Sequence, residues 1–177
     1  MRGQTIGKTM PFGYAGSYSR QPDMVVDSHP LAGNQAVTFG LALVYGAGGA
    51  VVPFGADGTA EKFVGVAARE IKSATNFLNQ NAGAYEPGEA VSVFKRGRVN
   101  VICQKGTPAL GGKVYVRIKA NESYPNAVVG GFEAEADTSG SGETAVTNTV
   151  ELTGVQWRGG ADANGVAELS ILTMNNA

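Results

Sequence analysis

Residues 90–104, AVSVFKRGRVNVICQ, carry the pattern on which the fold turns. Val91 and Val93 alternate with other residues, Val99, Val101 and Cys103 alternate again, and Lys95-Arg96-Gly97-Arg98 lies between the two runs. Alternation of this period puts the valines of each run on one face of a strand. A polar, Gly-bearing stretch between two such runs predicts a β-hairpin with its tip at 95–98. Just upstream, Pro87-Gly88 predicts a tight turn leading into the first of these strands.

The same grammar extends in both directions. AVTFGLALV (36–44) alternates around Val37, Phe39, Leu41 and Leu43, and KFVGVAAREI (62–71) reads as a strand ending near Arg69. KVYVRIKA (113–120) places Val114, Val116 and Ile118 on one face, and NAVVGGFEAEA, TVELTGVQW and VAELSILT follow between turn residues. Many short strands at regular spacing predict an all-β protein, a single small β-barrel or jelly-roll-like sandwich over residues 37–177. Helix signal is confined to SATNFLNQN (73–81), with Ser73 as a cap, and its Asn content suits a loop equally well.

Residues 1–36 have no sustained periodicity. Gly, Pro and Ser punctuate spaced large apolar groups, Met10, Phe12, Tyr14, Tyr18 and Met24, which predicts an extended N-terminal arm. Fully stretched, such a segment reaches on the order of 100 Å. Its aromatics either anchor a partner or cover an open end of the β domain.

Composition bounds the function. The 177 residues suit one well-buried domain. Only 16% are charged and the net charge is -1, so no electrostatic case exists for a nucleic acid or an anionic membrane. Gly is abundant at 26 residues while the apolar share is an ordinary 43%, which points to many tight turns rather than disorder. One cysteine, Cys103, excludes an internal disulfide, and one histidine, His29, argues against a zinc site. No apolar run is long enough for a membrane-spanning helix, and no signal-peptide core follows Arg2, so synthesis and retention in the cytoplasm are expected.

The tempting chemical motifs fail on geometry. GQTIGKT (3–9) resembles a phosphate-binding loop but is one residue short, follows no strand, and runs into Met10-Pro11-Phe12-Gly13, which cannot propagate a helix. Asp27, Ser28 and His29 are adjacent, and neighbouring side chains on an extended chain point to opposite sides rather than converging as a triad. Glu133, Glu135 and Asp137 alternate without calcium-loop spacing and read as a solvated edge that discourages stray pairing. Lys95, Arg96 and Arg98 at the expected tip suit an acidic patch on a partner protein, and Arg117 and Lys119 share a face that can join them. Cys103 is expected as an inert core thiol. Trp157 belongs either to the core or to the rim where an interface begins. No catalytic, cofactor-binding or metal-ligating residues are expected.

Taken in order, PFGYAG (11–16), KFVGVAAREIK (62–72), YEPGEAVSVFKRGRVNVIC (85–103), GGKVYVRI (111–118) and GVQWRGGADANGVAELSIL (154–172) resemble the cement, or decoration, proteins of tailed bacteriophages. The chain departs from that pattern at Lys113, where the family usually has an acidic residue. The resemblance implies a small β-barrel or jelly-roll-like domain on the outer surface of a capsid. It would be made in the bacterial host cytoplasm, bind the phage major capsid protein, and form a homodimer or homotrimer at capsid symmetry axes. It brings no enzyme activity. The residues expected at the capsid or oligomer interface are Met10, Phe12, Tyr14, Tyr18, Lys95, Arg96, Arg98 and Trp157. A tail or head-fibre β module is the alternative.

Overall fold

The computed structural model describes residues 11–70, 83–140 and 145–173. The motif at 3–9, Met10 and the segment 73–81 lie outside the described residues. Fourteen strands occur among the described residues: β1 (Tyr18–Pro30), β2 (Val37–Thr38), β3 (Ala42–Tyr45), β4 (Val51–Pro53), β5 (Phe63–Ala67), β6 (Ala84–Tyr85), β7 (Ala90–Ile102), β8 (Tyr115–Arg117), β9 (Phe132–Glu133), β10 (Thr138–Ser139), β11 (Val146–Thr147), β12 (Thr149–Glu151), β13 (Val155–Trp157) and β14 (Val166–Ile171). The only helical elements described are short 3-10 turns at Ala47–Gly49 and Ala60–Lys62.

The main sheet runs β13-β14-β7-β5-β3-β4, with β1 also paired to β7, and a second sheet runs β12-β8-β9. All named strand pairs are antiparallel. The all-β expectation holds in its sandwich form, with no closed barrel. The larger core lies between the sheets: Val99, Val101, Trp157, Leu169 and Ile171 pack with Val114, Val116 and Phe132. A second cluster, including Val37, Leu43, Val64, Tyr85, Val91 and Val93, fills the other face of the β3–β5 half. Tyr85 closes that cluster by donating its hydroxyl to the Ala68 carbonyl at 2.7 Å, and burial pushes its phenol up to about 12.

The predicted hairpin at 95–98 is absent. β7 continues through it as one thirteen-residue strand. Val93 and Phe94 pair with β1 and with β5, and Arg98 and Val99 pair with β1 and with β14, so β7 is bonded on both edges on either side of 95–97. Those ladders outweigh a local turn preference. The Lys-Arg-Gly-Arg stretch is instead an irregularity within the strand. Val25 stands opposite Arg96 and Val26 opposite Phe94, which leaves Lys95 as the extra residue. The slip changes which residues face the intersheet core, from Phe94 before it to Val99 and Val101 after it, while Val91 and Val93 face the second cluster. The expected Pro87-Gly88 turn is present, with Glu89 N–H donating to the Glu86 carbonyl at 3.0 Å.

Of the segment 1–36, Tyr18–Pro30 form β1, with a turn before it at 15–16 and a bend after it at 33–34. That strand is hydrogen-bonded to β7 within the main sheet.

Candidate interaction surface

The segment before β1 is pinned by its backbone. Gly16 N–H donates to the Asn100 carbonyl at 2.7 Å, Asn100 N–H returns to the Ser17 carbonyl at 2.9 Å, and Arg69 N–H donates to the Gly16 carbonyl at 2.7 Å. The buried Asn100 also donates its side-chain amide to the Phe12 carbonyl at 2.8 Å. Phe12 N–H in turn donates to Oδ2 of Asp162 at 2.9 Å. Asp162 is held for that task, because its other oxygen caps the turn into β14 by accepting from Asn164 and Val166.

With the backbone tied down, the aromatic side chains stay outside. Tyr14 is 68% exposed, Phe12 41% and Tyr18 36%, the last with its ring stacked against Phe94. The Arg69 guanidinium lies 4.6 Å from the Tyr14 ring centroid, holding one face of the ring and leaving the rest to solvent. Exposed aromatics on an ordered backbone are ready to bind at little further entropic cost. Beside them, two adjoining depressions of about 200 and 470 Å³ share Ile102 and Gln104, and exposed Val128 and Tyr124 flank them. Gln104 fixes that wall through hydrogen bonds to both backbone groups of Val128. Ile102, Val128 and Tyr124 were missed as candidates; a valine doublet next to a Gly pair looks like core in sequence.

Lys95 separates from Arg96 and Arg98. Lys95 donates to the Tyr45 hydroxyl at 2.6 Å and pairs with Asp27 at 2.8 Å, so its charge is satisfied within the chain. Arg96 pairs with Asp23 at 3.3 Å, and Arg98 reaches Glu168 at 3.4 Å. None stands at a hairpin tip. Trp157 is fully buried and belongs to the core, not to a rim. Asp27 and His29 are engaged apart, the latter through Nδ1 with the Gly49 carbonyl at 2.9 Å.

The expected acidic edge is also corrected. Glu133 and Asp137 are buried, and only Glu135 faces solvent. Arg117, expected on an exposed basic face, is fully buried between them, 2.6 Å from Glu133 and 2.9 Å from Asp137. Lys105 closes the group at 2.9 Å from Asp137. The physical reason is that β8 and β9 pair with both faces covered, so carboxylates and cations pair with each other inside. Burial pushes the Glu133 carboxyl up. Burial alone would raise Asp137 too, but hydrogen bonds from Asn121, Lys105, Asn148 and Arg117 hold it well below the usual carboxylate range. Among the described residues no cluster of His, Cys, Asp or Glu is set to hold a metal ion, and no helix is long and apolar enough to cross a membrane. Cys103 is half-buried, with burial raising its thiol.

Residues 3–172 match the profile of a family described as structural cement protein (E217 gp24/Pam3 gp6). Among solved structures, the chain is similar to one described as the capsid of Myoviridae phage XM1, with a TM-score of 0.67 and 16% identity over 96% of each chain. At that identity the likeness concerns the fold. No curated protein matches the sequence.

Proposed function

The chain belongs to the phage structural cement protein family, and on that premise we propose that it binds the outer surface of a tailed-phage capsid and ties neighbouring capsomers together. The family match over residues 3–172 carries this reading. The pinned segment with Phe12 and Tyr14 outward, beside the depressions at Ile102, supplies a surface suited to it. Contacts of this kind need no deep pocket, because weak binding repeated over a lattice gives high avidity. The protein acts by contact alone, without catalysis. It assembles as a homodimer or homotrimer at capsid symmetry axes, where closed symmetry lets one patch serve several contacts. In this reading residues 1–36 are the reaching arm and residues 37–177 the β domain, with β1 as the inner part of the arm laid on β7. The protein is made in the host cytoplasm and resides on the virion.

Copy number tests the proposal. Quantitative mass spectrometry of purified virions is expected to return a lattice-wide ratio of this chain to the major capsid protein. A handful of copies per particle would move it to a tail or fibre, and absence from virions would overturn the structural role.

A further inference from the structure

On another part of the main sheet, β7, β14 and the first residues of β1 enclose an open cleft of about 450 Å³. Arg20, Arg96, Arg98 and Arg158 line it, with Asp23 at its edge and Leu172 as an apolar wall. Glu168, almost fully buried, accepts a two-pronged contact from Arg20 (3.0 and 3.4 Å) and a further bond from Arg98 (3.4 Å). One buried carboxylate thus sets two guanidiniums in place. Arg158 reaches the cleft because its backbone N–H is fixed to the Glu168 carbonyl at 2.9 Å, and its side chain has no ion pair or hydrogen bond among the described residues.

Four guanidiniums face two carboxylates, so the cleft is positive by two charges in a chain whose net charge is -1. A cleft lined by one sign of charge focuses its field on partners of the opposite sign, and here the buried Glu168 fixes two of the guanidiniums in position. We propose that this cleft is the receptor for an acidic segment of the capsid shell protein, one that carries an apolar side chain beside its carboxylates. The inference rests on the capsid-binding reading and names the chemistry of one contact in it. Guanidiniums fork onto carboxylates in a planar, paired geometry, and Leu172, 47% exposed, offers the apolar neighbour a surface. A nucleic acid fits poorly, because its affinity comes from many phosphate contacts along a basic path, and here the excess is two charges in a chain of net charge -1.

Arg158→Glu tests the contact without removing any intramolecular partner. Full-length wild-type protein and the variant are titrated onto shells stripped of this protein, and separately with a labelled peptide Glu-Glu-Leu-Glu-Glu and with oligothymidine. Melting temperature and sedimentation are recorded for both proteins. The expected result is that the variant keeps the wild-type melting temperature and sedimentation, while shell loading and peptide affinity fall about tenfold or more. Wild-type peptide affinity is expected to drop steeply with salt. Equal loading by variant and wild type would overturn the cleft and leave the capsid reading standing. Preference for oligothymidine would overturn the acidic-segment assignment, and so would a wild-type oligomer that the variant dissociates, since a second copy would then be the occupant. Failure of wild-type protein to load any shell would sink the capsid reading and this inference with it.

Discussion

Gly97 shows how much one residue decides. Its φ is +111°, and a Cβ there would lie 2.2 Å from the Asp23 carbonyl oxygen, so β1 can cross this point only over a glycine. The close approach seats β1 beside the slip at Lys95, and Arg96 and Arg98 open into the same cleft as Arg20. Gly97→Ala should therefore cost about 2–4 kcal/mol, combining backbone strain with a clash against main chain that cannot turn aside. Gly88→Ala is the control. That glycine also has a positive φ, +84°, but has open space around it, so only the backbone part remains, about 1–2 kcal/mol. Urea denaturation of both variants separates the two costs; equal losses would show that Asp23 does not press on residue 97.

The three-stranded sheet β12-β8-β9 is specified by its charges as much as by its valines. Arg117 on β8 joins Glu133 on β9 to Asp137 and, through Asp137, to Lys105, Asn121 and Asn148. A buried pair of this kind adds little over apolar packing, yet loss of one partner strands the other. Asp137→Asn, which leaves Arg117 and Lys105 short of one carboxylate, should cost about 3–5 kcal/mol at neutral pH. The pH dependence follows from the direction of the shift. The Asp137 carboxyl is depressed in the folded state. Its contribution is therefore complete above the unfolded aspartate value of about 4 and drains away as pH falls further. Glu133, raised by burial, works oppositely: its protonation as pH falls relieves the cost of burying its charge. Thermal melts from neutral pH down to about pH 2 should show wild-type stability declining below about pH 4. The Asn variant should start lower and decline less; parallel curves would mean that Asp137 is not the group titrating.

At the scale of the whole molecule, residues 11–30 combine two features that experiment can separate. Phe12 and Tyr14 project from the sheet, whereas β1 completes the edge of β7. The double substitution Phe12→Ala with Tyr14→Ala should lower shell loading about tenfold, because aromatic anchors dominate such contacts. It should leave the melting temperature of the free protein nearly unchanged. Deletion through Pro30 should instead yield insoluble protein, since it strips β7 of a partner along one edge and exposes a long strand to self-pairing. Soluble, well-folded protein from that deletion would mean that β1 is an accessory to the sheet. Loading assays and melting curves on the same preparations decide both points.

Period-two alternation by itself determined that the chain is built from strands, and Val91, Val93, Val99, Val101, Val114 and Val116 are all buried as that pattern requires. The Pro87-Gly88 turn was equally legible, because a turn is set by the backbone preferences of adjacent residues. The path of β7 was not. Val93 and Phe94, two large apolar neighbours, are the visible sign of a strand buried on both faces, but whether Lys95 to Arg98 turns or continues depends on β1, β5 and β14, whose residues are distant in sequence. Charge followed the same rule. Alternation predicted Glu133, Glu135 and Asp137 on one strand face, whereas β9 ends at Glu133 and only folding brings Arg117, 16 and 20 residues away, between Glu133 and Asp137. Glu168 meets Arg98 across 70 residues and Arg20 across 148. Local spacing settles which way a backbone extends and turns; tertiary structure alone settles which charge meets which, because Coulomb attraction and desolvation act through space rather than along the chain.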